Sequence, residues 1–359
     1  MIKRGEEHYI SIDRYNLARR IDEALQPEDL AEVKRRLKLL LADLEEQSAE
    51  LLSPNGEGVL VKPEALHDEL EQMIAARTRE RLNYYAGRLK RSLFEVITNG
   101  TNDINLRRWK DYDEIVTDSL WVIDRRDGSG AHLAWYWGNF IPQIPHQLLL
   151  RYTRRGDLVV DPFVGSGTTL IECRRLGRHG IGIEIGAEVC ARARERVEAE
   201  PNPYGVRTEI VTGDARLCDL SALVEDFGFS GVDFYLMHPP YHDIITFTSV
   251  DGDLSNAPTT EDFLRMFGEV LDNALPLLKR ERYAAVVIGD KYEKGEWVPL
   301  GFYCMEEAMR RGLVLKSIVV KNFEETKGKR FQKELWRYRA LLGGFYVFKH
   351  EYILILKKP

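Results

Sequence analysis

The chain has few cysteines, no long apolar run and no excess of positive charge, and each shortage removes a class of protein. Its four cysteines, Cys173, Cys190, Cys218 and Cys304, fall without CxxC or CxxH spacing. That argues against a zinc cluster and a disulfide framework, so reduced core thiols are expected, and no metal. The longest apolar runs, LWVI at 120–123 and YAAVVIG at 283–289, fall far short of the roughly 20 residues that span a bilayer. The opening MIKRGEEHY lacks the apolar region of a leader peptide. No membrane association is expected, and the expected compartment is the cytoplasm. With 51 Lys and Arg against 57 Asp and Glu, the net charge is −6. A nucleic-acid partner would therefore need a local basic face.

What is present is enough for a large core: 359 residues, 44% of them hydrophobic, suggest two domains or one with an appendage. Acids concentrate at 42–50 and 64–71, whereas NFEETKGKRFQKELWRYRALLGGFYVFK carries Lys327, Lys329, Arg330, Lys333, Arg337, Arg339 and Lys349. From Pro27 to residue 52, Leu30, Val33, Leu37, Leu40, Leu41 and Leu44 recur at spacings of three and four, the mark of an amphipathic helix. SPNGEG at 53–58 is a turn, and Pro63 opens a second helical run through Leu66, Leu70 and Ile74 to Leu93. Residues 1–116 are thus expected as a helical region with a long hairpin. It reads as a packing or dimerising appendage through which two copies could pair, with a DNA-clasping role as the alternative.

Residues 117–359 change pattern. DLVVDPF (157–163), GIGIEI (180–185), TEIVTGD (208–214), GVDFYLM (231–237), YAAVVIGD (283–290), LKSIVVKN (315–322) and EYILILKK (351–358) are seven strand candidates, many separated by helix-length segments. Such alternation predicts an α/β fold with a Rossmann-like, doubly wound, mostly parallel sheet, whose ligands bind at the carboxyl ends of the strands.

Those ends carry the chemistry. DPFVGSGTT places Gly165 and Gly167 after a strand and before a helix beginning near Thr168 or Thr169, where bare backbone can approach a ligand. It has neither the lysine of a phosphate-binding P-loop nor the third glycine of GxGxxG. Glu184, about 20 residues on, is placed to accept hydrogen bonds from ribose hydroxyls, and Asp214, ending the next strand in GDAR, could meet an adenine amino group. A nucleoside without a triphosphate fits best. The fourth strand runs into His238-Pro239-Pro240-Tyr241, where two prolines lock the backbone and hold carbonyls, a histidine and an aromatic face in fixed directions.

Together, DPFVGSGTT, GIEI, GDA and HPPY resemble motifs I to IV of the S-adenosylmethionine-dependent amino-methyltransferases of DNA, which modify adenine N6 or cytosine N4. GNFIPQIPHQLLLRY (138–152), with Pro142, resembles the family's motif X, which helps enclose the methionine part of the cofactor. The resemblance implies the class I methyltransferase fold over 117–359, S-adenosylmethionine as cofactor, double-stranded DNA as partner, and a setting such as restriction-modification. It implies cofactor contacts at Asp161, Phe163, Gly165, Gly167, Thr168, Glu184, Asp214 and Pro142, and catalysis by His238, Pro239, Pro240 and Tyr241. The tetrapeptide departs from the family at its first residue, usually Asp or Asn in adenine enzymes and often Ser in cytosine-N4 enzymes. That leaves the base open.

The expected reaction is direct displacement. The amine's hydrogens would bond to an acceptor nitrogen of neutral His238 and to the carbonyl of Pro239, while Tyr241 stacks on a flipped base. Carbon-5 methylation is excluded, because no cysteine follows a proline. DNA contact is expected from the insertion 321–349, at Lys329, Arg330, Lys333, Trp336, Arg337 and Arg339, where basic and aromatic side chains interleave. The rival readings are an RNA base amino-methyltransferase and a DNA-binding subunit with a vestigial cofactor pocket.

Overall fold

A computed structural model describes residues 9–46, 51–53, 58–323 and 333–359. Its internal contacts divide the chain into two compact units, Ile2–Gly100 with Ile104–Glu114, and Thr101–Asp103 with Ile115–Pro359.

The first unit contains β1 (Ile10–Ile12), α1 (Arg14–Leu25), α2 (Leu30–Glu45), β2 (Val59–Val61), α3 (Pro63–Ala75) and α4 (Arg79–Phe94). Carboxylates start two of the helices: Asp13 accepts from the amides of Tyr15 and Asn16, and Asp29 from those of Ala31 and Glu32. The three-and-four spacing puts Val33, Leu37, Leu40, Leu41 and Leu44 in the core. The run from Pro63 to Leu93 is not continuous as expected. Ala76 is extended, and the Thr78 hydroxyl accepts from the Arg81 amide, so a cap interrupts the apolar period. Helix α1 and the antiparallel ribbon of β1 and β2 were not anticipated, the strands being only three residues each.

The second unit contains β3 (Leu120–Trp121), α5 (Gln143–Tyr152), β4 (Leu158–Asp161), α6 (Thr168–Leu176), β5 (His179–Glu184), α7 (Ala187–Ala199), β6 (Thr208–Thr212), α8 (Leu220–Asp226) and β7 (Val232–Met237). It continues with α9 (Thr260–Ala274), β8 (Leu278–Ile288), β9 (Lys291–Glu293), β10 (Glu296–Val298), α10 (Leu300–Arg310), β11 (Val314–Asn322), α11 (Lys333–Gly343) and β12 (His350–Lys357). Eight strands form one sheet in the order β3-β11-β12-β8-β7-β4-β5-β6. All seven anticipated strands are in it, together with the two-residue β3. Only β12 runs against its neighbours, antiparallel to both β8 and β11, which makes the sheet a Rossmann-like one with a single reversed strand.

β4 and β7 are buried along their whole length, as strands covered on both faces must be, and their sequences are accordingly almost continuously apolar. From β4 the chain steps outward to β5 and β6, then returns to place β7 on the other side of β4. That reversal opens a crevice beyond the carboxyl ends of β4 and β7, where doubly wound sheets bind ligands.

A buried acid ties two of the covering helices. Glu172 on α6 accepts from His132 Nε2 and, on its other oxygen, from His146 Nδ1 on α5, each at 2.7 Å, with Arg175 at 3.3 Å. Burial alone would raise the Glu172 pKa, but these hydrogen bonds overcome it and hold the carboxyl below its ordinary range. Glu172→Ala strands their donors in a dry site, so the unfolding free energy should fall by about 3 kcal/mol. Urea denaturation of the full chain measures it.

Candidate active site

The loop after β4 is built around its own backbone. Gly165 and Gly167 have φ of +49° and +83°, a left-handed conformation that glycine adopts without strain. A Cβ on Gly167 would stand 2.7 Å from Val197, so this glycine lets α6 pack on α7. Buried Asp161 accepts from the Phe163 amide at 2.9 Å and from the Thr169 hydroxyl at 2.5 Å, joining both ends of the loop. Burial lifts its pKa to about 7. Thr168 donates to Asn139 Oδ1 at 2.7 Å, and Pro142 caps the start of α5.

A cavity of about 710 Å³ lies at the carboxyl ends of the strands, within the usual range for small-ligand sites. Of the expected cofactor residues, Phe163, Gly165, Glu184 and Asp214 line it; Asp161, Gly167, Thr168 and Pro142 do not. Buried loop amides and hydroxyls need internal partners, and these four residues stand behind the wall that the others present.

Along the sheet, the lining groups follow strand order. Asp214 lies just beyond β6, Glu184 on β5, Gly165 after β4, His238 after β7, Asp290 after β8, Glu351 on β12 and Lys321 on β11. Glu184 accepts from the Gly186 amide at 2.8 Å; burial raises its pKa, and the amides of Gly186, Gly165 and Ile185 oppose that rise. Asp214 is tied to Arg216, whose Nη2 lies 2.6 Å away and whose guanidinium also reaches Glu269 at 3.1 Å. Asp214 also accepts from the Arg216 amide at 2.9 Å and from its Nε at 3.1 Å, so both of its oxygens are engaged within the turn.

The HPPY turn is equally constrained. The His238 ring lies 4.9 Å from that of Phe140 and meets Tyr241 edge-on at 5.6 Å. Burial depresses the His238 pKa to about 4, with the Glu351 charge opposing and Lys321 assisting, so the ring is neutral at pH 7. The Tyr241 hydroxyl donates to Glu351 Oε2 at 2.8 Å, and Lys321 Nζ lies 3.1 Å from Glu351 Oε1. A Cβ on Gly289 would come within 2.8 Å of the Tyr241 ring. Gly289→Ala should therefore displace the ring and lower kcat by about tenfold or more while cofactor affinity holds, since small misplacements near reacting groups are costly. Steady-state kinetics with isothermal titration separates the two effects.

Beyond the turn, His242 adopts φ +53° and is clamped. Its Nε2 donates to the Ala257 carbonyl at 2.8 Å, and Lys291 donates to Nδ1 at 2.6 Å while also pairing with Asp243. The following segment, through Ile244, Ile245, Phe247, Gly252, Asp253 and Leu254, lines the cavity, and Phe247 stacks on Tyr136 at 5.5 Å.

Sequence reasoning missed Tyr136, Asn139, Phe140, Asp290, Lys321 and Glu351. Asp290 ends an apolar strand in VVIGD just as Glu184 ends GIGIEI, so the signal was there. Lys321 and Glu351 are charges at buried positions of apolar strands, and they face each other across the ladder. Of the expected DNA contacts, Lys329 and Arg330 lie outside the described residues, and Lys333 opens α11. Trp336 lines the cavity with Phe348, Arg339 sits over the Trp336 ring at 5.3 Å, and Arg337 is exposed. Among the described residues no helix is long and apolar enough to cross a membrane, and no group of three or more His, Cys, Asp or Glu could hold a metal ion.

The family model of a DNA methylase matches residues 95–195. Type II methyltransferase M2.DpnII of Streptococcus pneumoniae is 40% identical over 106 residues, 28% of this chain and 40% of that protein. Type II methyltransferase M.MjaII of Methanocaldococcus jannaschii is 43% identical over 63 residues, 18% of this chain and 12% of that protein. The chain thus spans well under half the length of these curated relatives. Among solved structures, a SAM-dependent methyltransferase from Methanosarcina mazei covers 59% of this chain and 96% of its own, with 16% identity and a TM-score of 0.39.

Proposed function

We propose that the chain is a member of the N6/N4 DNA methylase family, whose model matches residues 95–195, and that it methylates an exocyclic amino group of DNA, adenine N6 or cytosine N4, on a base drawn out of the duplex. The observation that carries this reading is the convergence on one cavity of a glycine turn and Glu184, suited to a nucleoside, with the His238-Pro239-Pro240-Tyr241 turn, suited to an amine.

S-adenosylmethionine would supply, when bound, an electrophilic methyl on a sulfonium, which an amine can take as the thioether leaves with the carbon–sulfur electron pair. The residues present fit it: Gly165 keeps the wall bare, Glu184 would take the ribose hydroxyls, Asp214 the adenine amino group, and Phe163 offers an apolar face. No phosphate is to be held there, and the loop has no lysine for one.

His238 and the Pro239 carbonyl accept the two hydrogens of the target amine. They align its lone pair with the methyl and draw it out of conjugation with the base ring, work that positioned hydrogen bonds can do in a dry site. As the new bond forms, the amine turns cationic and must lose a proton. His238, with a pKa of about 4, is too weak a base to keep that proton, which passes on to water. Tyr241 lends an aromatic surface to the base, while Trp336, Arg337 and Arg339 on α11 serve the nucleic acid near the mouth. The helical unit acts as a packing or dimerising appendage.

Transfer of labelled methyl from S-adenosylmethionine into duplex DNA tests the reading, with single-stranded RNA alongside. Incorporation into DNA is expected. Incorporation into RNA alone would move the chain to RNA base methylation, and cofactor binding without transfer to either would leave the methylation proposal without support.

A further inference from the structure

The reaction asks His238 to accept a hydrogen bond, but a neutral imidazole can offer a lone pair at either nitrogen. Which one is free depends on what holds the other. Here His238 Nε2 lies 3.3 Å from the Tyr241 hydroxyl oxygen. That hydroxyl has a single hydrogen, and Glu351 Oε2 takes it at 2.8 Å, because a carboxylate can only accept. Glu351 is in turn paired with Lys321 at 3.1 Å; both side chains are buried, and the two residues face each other across β11 and β12. Toward His238 the Tyr241 oxygen is left with only lone pairs, so Nε2 must carry the imidazole hydrogen.

We propose that Lys321, Glu351 and Tyr241 form a relay that fixes His238 in the tautomer protonated at Nε2, leaving Nδ1 as the lone-pair acceptor for the target amine. This rests on the reading of His238 as an amine acceptor. The hydrogens run one way, from Lys321 to Glu351, from Tyr241 to Glu351, and from His238 to Tyr241. Reversing the last of them would aim the Tyr241 lone pairs at a buried carboxylate. Phe140 packs against the ring and limits its rotation. Lys321 and Glu351 are positioning residues: they act through Tyr241 and need not touch the substrate. The relay explains why two opposite charges are buried at the end of apolar strands, a costly arrangement, and why the turn ends in tyrosine.

The test needs no methyl acceptor. The full-length protein, labelled with nitrogen-15 in its histidines, is studied by long-range proton–nitrogen correlation, with His238 assigned by the signal lost in His238→Gln. The wild type is expected to show a protonated Nε2 and an unprotonated Nδ1 at pH 7. Tyr241→Phe and Glu351→Gln are expected to lose that exclusivity, and Glu351→Gln to lower kcat by about 10–100-fold, the size usual for partners that orient a working ligand, with KM for S-adenosylmethionine unchanged. Lys321→Arg, which keeps the charge, should retain the wild-type pattern and guards against misreading a misfolded variant. A hydrogen on Nδ1 in the wild type, or an unaltered tautomer in both Tyr241→Phe and Glu351→Gln, would overturn the relay. A locked Nε2 tautomer in a chain that methylates neither DNA nor RNA would sink the proposed reaction and leave the relay standing.

Discussion

Replacing His238 with alanine is expected to lower kcat for amine methylation by about 10²–10³-fold, the usual cost of removing one positioned hydrogen-bonding partner from a catalytic site, while S-adenosylmethionine binds as before. The two effects separate because His238 stands beyond β7, whereas Gly165 follows β4 and Glu184 ends β5. His238→Asn, which puts an amide oxygen where the imidazole was, should recover part of the loss. Retention of full kcat by the alanine variant would remove the histidine from the mechanism. The pH profile carries the same claim. An ordinary histidine gains its proton near pH 6.5, but burial depresses the pKa of this one to about 4. The ring therefore stays an acceptor, and kcat should be flat from pH 8 to about 5 and fall only below that. For stability the sign follows from the unfolded chain binding the proton first: the contribution of His238 is present above about pH 6.5 and is lost as pH falls toward 4.

Glu184→Gln is expected to weaken S-adenosylmethionine binding by about 10–100-fold and to leave kcat at saturating cofactor nearly unchanged. A hydrogen bond to a charged group contributes about 1.5–3 kcal/mol, and glutamine keeps the shape while losing the charge. The buried carboxylate already receives the Gly186 amide, so its free lone pairs are the ones a ribose would use. Isothermal titration gives the affinity directly. An unchanged dissociation constant would mean that Glu184 only caps its own turn, a role the Gly186 bond alone would satisfy.

The strands were legible in the sequence because a sheet covered on both faces demands apolar runs, and DLVVDPF, GIGIEI and GVDFYLM are such runs. The glycine turn, Glu184, Asp214 and HPPY were legible because the carboxyl ends of those runs are where ligands bind. The break at Ala76 was not, since one threonine cap outweighed a continuing helical period. The reversal of β12 was not, because alternation in sequence does not fix strand direction. Asp161 and Thr168 illustrate a different limit. Their place in the motif is plain, but only the fold reveals that their hydrogen bonds turn inward to Thr169 and Asn139. Lys321 and Glu351, 30 positions apart, become one ion pair only when two strands come into register.

The central claim is that this cavity joins a nucleoside cofactor to an exocyclic amine of DNA. Nucleoside mass spectrometry of DNA and RNA, each incubated with the full-length protein and labelled S-adenosylmethionine, tests it most directly. Labelled N6-methyladenine or N4-methylcytosine in the DNA, strongly reduced with His238→Ala, is the expected result. Label on a ring carbon, label confined to RNA, or label unaffected by that substitution would contradict the account.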